Sequence, residues 1–161
     1  MTLSLRRLAI ALPFVFALHV VEEAPGFVAW FNSLVEPDLT ERLFVSVNVT
    51  GFVITLAVAA FAAVSREATV GVLAVAWVGF LMLANGLLHL IATVVHQRYS
   101  PGVVTGTLLY LPMAALFVRA VVRECAVSWR AAVLAAVAGG VPMYVPIWRS
   151  EERRVGKECR S

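Results

Sequence analysis

Several stretches of about twenty apolar residues run through this chain with almost no charge inside them, and nothing else in it constrains the fold as tightly. A run of that length is what an α-helix needs to cross ~30 Å of hydrocarbon. Of the 161 residues, 61% are hydrophobic and 14% are charged, against about 25% charged in an ordinary soluble domain. One small soluble core cannot bury that much apolar surface. The sequence therefore predicts an all-α membrane protein, a bundle of about five transmembrane helices.

Arg6 and Arg7 precede the first run, residues 8–24. It ends in Glu22-Glu23-Ala24-Pro25, without the small-x-small pattern of a cleaved signal peptide, and further apolar runs follow, so a retained first span is expected. Phe27, Trp30, Phe31, Leu34 and Val35 then share one helical face, which predicts a short interfacial helix over residues 26–35. Asp38 followed by Glu41 reads as an N-cap and its partner, opening a second span over 39–64. Ser65-Arg66-Glu67 turns the chain into a third span, 69–95. Ser100 before Pro101 reads as a cap residue and a proline at the first helical position, opening a fourth span over 101–122. A fifth, 131–147, contains Gly139, Gly140, Pro142 and Pro146, which neighbouring helices can accommodate. Residues 1–148 thus read as a single transmembrane domain.

The formal charge of +3 carries little weight, because segment 149–161, RSEERRVGKECRS, alone supplies five basic and three acidic residues. The remainder is nearly neutral, and no nucleic-acid partner is implied. The segment breaks abruptly from the apolar run before it and resembles a vector-derived tail, so it is expected to be non-native. With only Cys125 and Cys159 present, neither a disulfide framework nor a thiolate metal site is indicated.

Basic residues favour the cytoplasmic side. Placing the N-terminus there puts Arg6, Arg7, Arg66, Arg119, Arg123 and Arg130 inside and leaves Arg42 and Arg98 outside, the tail excluded. The expected location is a cell membrane, crossed several times, with a cytoplasmic N-terminus and the lipid bilayer as the partner. A homo-oligomer is compatible with the same pattern.

In that arrangement the polar residues within the spans gather in the outer half. His19, Glu22 and Glu23 close the first span; Asn48 and Thr50 open the second; Asn85, His89, Thr93 and His96 end the third; Thr105, Thr107 and Tyr110 open the fourth. Asn85, His89, Thr93 and His96 fall within roughly 80° of one another at 100° per residue, a polar stripe on one helix. His19 and Glu23 are four residues apart, and Glu22 is three from His19, so the imidazole can meet either carboxylate. A charged residue at the bilayer centre costs ~2.5–3.5 kcal/mol on insertion scales. A bound cation would offset most of that. The metal ligands proposed by this reading are His19, Glu22, Glu23, His89 and His96, with Glu22 or Glu23 available for general-base catalysis and Asn85, Asn48, Thr93 and Tyr99 in support.

His19-Val20-Val21-Glu22-Glu23 resembles the signature of the HXXEE-motif family of small bacterial and archaeal membrane proteins. The downstream Asn85-x-x-x-His89 and Tyr99-Ser100-Pro101-Gly102 are similar to the same pattern, and the resemblance covers roughly residues 8–147. It implies a shared polar site and names no chemistry for it.

Four roles stay open at this stage. A metal-dependent membrane enzyme would hold Zn²⁺ or Fe²⁺ on the His/Glu cluster, activate water and act on a lipid-like or membrane-embedded substrate, a hydrolase-type activity. The paired glutamates are similar to those of intramembrane CAAX-type proteases, by analogy alone, since no arginine follows within the turn and this chain is far shorter. A carrier or sensor would bind a proton, metal ion or small solute at the same residues without turnover. Paired histidines on facing helices also suit a haem, and a structural subunit would use the cluster only to order its helices.

Overall fold

The computed structural model describes residues 3–34 and 39–158, with side chains described as far as residue 144. Among the described residues there is no strand, and six helices account for nearly all of the chain: α1 (Leu5–Glu23), α2 (Phe27–Leu34), α3 (Glu41–Val64), α4 (Ala68–His96), α5 (Val103–Glu124) and α6 (Trp129–Glu158). Helices α3, α4 and α5 are each long and apolar enough to cross a membrane. The pair α1 and α2, bent by 70°, supplies a fourth if counted as one span.

Over much of their length these helices expose apolar side chains as well as bury them. Leu5, Leu8, Leu12, Phe16, His19 and Glu23 turn one face of α1 inward, while Ile10, Phe14, Leu18 and Val21 on the other face are exposed. Helix α3 carries Val45, Val47, Val49, Val53, Phe61 and Val64 bare, and only 17% of its spanning window is buried. An uncovered apolar surface of that extent is consistent with a membrane-spanning helix. The core lies between α1, α4 and α5, where Leu12, Phe16, Val75, Val78, Met82, Tyr110, Phe117 and Val121 meet. Trp77 Nε1 donates to Thr55 Oγ1 at 3.1 Å, joining α4 to α3.

Small residues let α6 approach α4. A Cβ on Gly79 would lie 2.2 Å from the Ala136 carbonyl oxygen, and one on Gly139 would lie 2.0 Å from that of Ala76. Such close contact brings the two backbones into dispersion contact. Both α4 and α5 contain a π-helical turn, over Gly79–Ala84 and Gly106–Tyr110. An extra residue in a turn rotates everything after it, and such turns recur beside functional sites.

Several boundaries differ from the sequence reading. Asp38 and Val35 lie outside the described residues; the residue that caps α3 is Thr40, whose Oγ1 accepts from the Leu43 N–H at 3.2 Å. Helix α5 starts at Val103 rather than at Pro101, and its cap is Gly102 at φ 101°, a conformation that glycine adopts without steric penalty. Ser100 therefore does not cap α5. Helix α6 continues past residue 147 to Glu158 without a break, because the glutamates, arginines and lysine of 149–158 favour a helix as strongly as the apolar residues before them.

At the end of the bundle where α1 begins, Glu124 Oε1 accepts from the Leu5 N–H at 2.9 Å, and the Glu124 carboxylate pairs with Arg66 at 3.5 Å and Arg123 at 3.1 Å. The polar constellation occupies the opposite end.

Candidate functional site

Three side chains converge at that opposite end. His19 and Glu23 stand one turn apart near the C-terminus of α1, and His89 faces them from α4. Glu23 Oε1 lies 2.9 Å from His89 Nε2 and 3.4 Å from His19 Nε2. One nitrogen or oxygen from each residue falls within 4.8 Å of the others. Both histidines are fully buried, and Glu23 is 4% exposed, so the group sits in a low-dielectric interior where an unmatched charge or lone pair is expensive.

Each imidazole is held from behind by a hydroxyl. His19 Nδ1 is 2.7 Å from Thr105 Oγ1, and His89 Nδ1 is 2.8 Å from Ser100 Oγ. The Ser100 N–H donates to Thr93 Oγ1 at 3.2 Å, fixing the loop that carries it. Thr105 spends its single hydroxyl proton on Glu22 Oε2. That carboxylate is saturated with donors: the Tyr99 hydroxyl at 2.6 Å, the Val104 N–H at 3.0 Å and the Thr105 N–H at 2.7 Å. It is an acceptor only.

This order of donors fixes the role of His19 Nδ1. Since the Thr105 hydroxyl donates to Glu22, it can only accept from His19, and the Nδ1 proton of the ring fills that role. His19 Nε2 then stands 3.4 Å from a Glu23 carboxylate oxygen, buried and without a hydrogen-bond partner. The three side chains together could hold a metal ion. His89 is adaptable, because the Ser100 hydroxyl can either donate to Nδ1 or accept from it.

The surroundings close the site. Trp30 and Phe27 of α2 lie with ring centroids 6.0 and 5.7 Å from His89, and Tyr110 lies 4.1 Å from His19. The 70° bend after Glu23 is what turns α2 across this end. Gly102 passes over both rings: a Cβ there would stand 2.9 Å from Cε1 of His19 and of His89. Helices α4 and α5 come together at Gly86 and Gly106, where a Cβ on Gly86 would lie 3.0 Å from the Gly106 carbonyl oxygen.

Of the residues proposed from sequence, His19, Glu23 and His89 are brought together. Glu22 turns away from them, since consecutive helical residues diverge by 100°, and reaches His19 only through Thr105. His96 is exposed at the C-terminus of α4 and stands outside the group, because Gln97 at φ 52° ends the helix beside it. Tyr99 and Thr93 act through Glu22 and Ser100. Asn85 leaves its Oδ1 buried and unpartnered, and Asn48 donates to the Phe44 carbonyl within α3. The sequence reading had no role for Ser100 beyond a cap, none for Gly102 as the roof of the site, and left Thr105 and Tyr110 as polar residues of the same leaflet. The signal was the Tyr99-Ser100-Pro101-Gly102 stretch, whose glycine and serine are both used here.

A family model described as "Protein of unknown function with HXXEE motif" matches residues 10–118. These span His19, Glu22, Glu23, His89, Ser100 and Thr105. A curated protein of Bacillus subtilis (strain 168), "Uncharacterized protein YrkK", is 24% identical over 131 residues, covering 80% of this chain and 83% of its own. No solved structure matches.

Proposed function

The chain belongs to the HXXEE family, and we propose that its signature builds a metal centre inside a multi-pass membrane protein, with His19, Glu23 and His89 as ligands. The observation that carries this reading is the convergence of two buried imidazole nitrogens on one carboxylate oxygen, His89 Nε2 at 2.9 Å and His19 Nε2 at 3.4 Å, the latter without a hydrogen-bond partner. Ligands ~2.0–2.1 Å from a tetrahedral zinc stand ~3.3 Å apart. Hydroxyls behind both rings are the outer partners that orient metal-bound histidines. Two histidines and one carboxylate suit Zn²⁺ or Fe²⁺ and leave a coordination position open, the pattern of catalytic rather than structural centres.

Five crossings are proposed, by α1, by α3 to α5 and by residues 131–147 of α6. The N-terminus is assigned to the cytoplasm, which sets the metal centre in the outer half of the bilayer. The clustering of Arg66, Arg123 and Glu124 at the other end of the bundle supports that orientation. At this depth the substrate of a metal-dependent enzyme is lipid-like or embedded in the membrane, and the ion would polarise its oxygen or activate water. Glu22 then serves to position His19 through Thr105. Helix α2, whose Trp30 and Phe27 cover His89, would move aside to admit substrate.

A second reading, a carrier or sensor that binds the ion without turnover, is favoured by the complete burial of both histidines. Reconstitution of metal-loaded protein with a bacterial lipid extract separates the two. Metal-dependent loss of a lipid species, absent in Glu23→Gln, supports the enzyme; metal retention without any product supports the carrier. Failure of the parent protein to retain metal would contradict both.

A further inference from the structure

Tyr110 is fully buried and its hydroxyl has no hydrogen-bond partner. Its ring lies 4.1 Å from that of His19, tilted by 33°. It closes the π-helical turn Gly106–Tyr110, the irregular turn of α5 next to the site. A phenylalanine would fill the same space without leaving a polar group unmet in the interior.

The unmet capacity is not scattered. Among the described residues, the buried side-chain nitrogens and oxygens without a partner are His19 Nε2, Asn85 Oδ1, Thr107 Oγ1 and Tyr110 Oη. All four belong to the helices that wall this end of the bundle. Asn85 and Thr107 adjoin Gly86 and Gly106, the contact between α4 and α5, and a Cβ on Gly106 would lie 3.8 Å from His19 Cε1. Two of the four, His19 Nε2 and Tyr110 Oη, belong to rings in contact with each other, and buried polar groups without partners call for a ligand or a role.

We infer that Tyr110 is a ligand-positioning residue of the metal centre: its hydroxyl hydrogen-bonds the oxygen ligand, water or a substrate oxygen, at the position the three protein ligands leave open. This rests on the metal-binding reading above. Three protein ligands are one short of the four that zinc takes, and the fourth, an oxygen anion or water, needs a donor to hold it in an interior that excludes solvent. Tyr110 supplies an O–H that nothing in the protein consumes.

The test uses Co²⁺-loaded parent protein and Tyr110→Phe, titrated with azide, an anion that takes an open coordination position, and followed by visible absorbance. Equal cobalt content is expected, with azide bound about tenfold more weakly by the variant, the loss of one hydrogen bond to a charged ligand. Metal-free Tyr110→Phe should be at least as heat-stable as the parent, since it loses only an unpaired hydroxyl. Equal azide affinities, or no azide binding by the cobalt-loaded parent, would overturn the inference while the metal centre stands. A variant less stable than the parent without metal would assign the hydroxyl to structure and also overturn it. Cobalt absent from the parent would overturn the metal centre, and this inference with it.

Discussion

His89 Nε2 and Glu23 Oε1 are 2.9 Å apart although 66 positions separate the two residues in the chain. Their contact joins the end of the first helix to the far half of the fourth, and Ser100 and Thr105 hold the rings from the loop and helix that follow. The family motif supplies one wall of the site. The other walls come from segments as much as 86 residues away, the separation of His19 from Thr105.

Thr105 is the hinge of this arrangement, since its hydroxyl accepts from His19 and donates to Glu22. Thr105→Val keeps the shape and removes both bonds. Metal affinity, measured by competition with a chromogenic chelator, should fall about 10- to 100-fold, the usual effect of losing an outer partner of a metal-bound histidine. Ser100→Ala should fall in the same range through His89. Unchanged affinity in both would mean that the hydroxyls do not orient the rings.

Gly102 tolerates no side chain. Its φ of 101° and the 2.9 Å approach of a Cβ to both imidazoles act together. Gly102→Ala should destabilise the protein by roughly 1–3 kcal/mol from backbone strain alone, and abolish metal binding by pushing the rings apart. Gly26→Ala, whose Cβ would meet only Pro101 Cγ at an ordinary 3.6 Å, should leave both unchanged. Thermal unfolding in detergent with and without metal measures the difference.

The sequence showed the helices and half of the site, for reasons specific to each residue. Apolar runs marked the long helices because each is about as long as a helical span and carries almost no charge inside it. The four-residue interval between His19 and Glu23 placed both on one face, and a helix keeps that promise wherever it packs. The fold leaves His96 and Glu22 outside the buried group. The stripe through Asn85, His89, Thr93 and His96 has the right azimuth, yet His96 stands at the exposed end of α4, and burial depends on what lies opposite. Glu22 is adjacent to Glu23 in sequence and faces another wall. Ser100 carries the residue type of an N-cap, and only the fold brings His89 to its hydroxyl. The π-helical turns follow from tertiary packing and leave no periodic mark.

Tyr99 offers a readout of the outer edge of the site. The Glu22 carboxylate that accepts its proton holds the phenol up to about 12, above the usual tyrosine range, with partial burial adding to the shift. The phenol is therefore harder to ionise folded than unfolded. Its contribution to stability is present below about pH 10 and is lost as pH rises from there through 12. The ultraviolet difference between parent and Tyr99→Phe should show ionisation near 12, moving back toward 10 in Glu22→Gln. Ionisation near 10 in the parent would mean that Tyr99 and Glu22 are not bonded in solution.

The most direct test of the metal centre is the metal content of protein purified in detergent without chelators, beside His19→Ala, Glu23→Gln, His89→Ala and His96→Ala. About one Zn or Fe per chain is expected in the parent and in His96→Ala, and none in the three variants of the buried group, each checked for folding. A parent that holds no metal even after Zn²⁺ and Fe²⁺ are added back would contradict the account, as would loss of metal from His96→Ala alone.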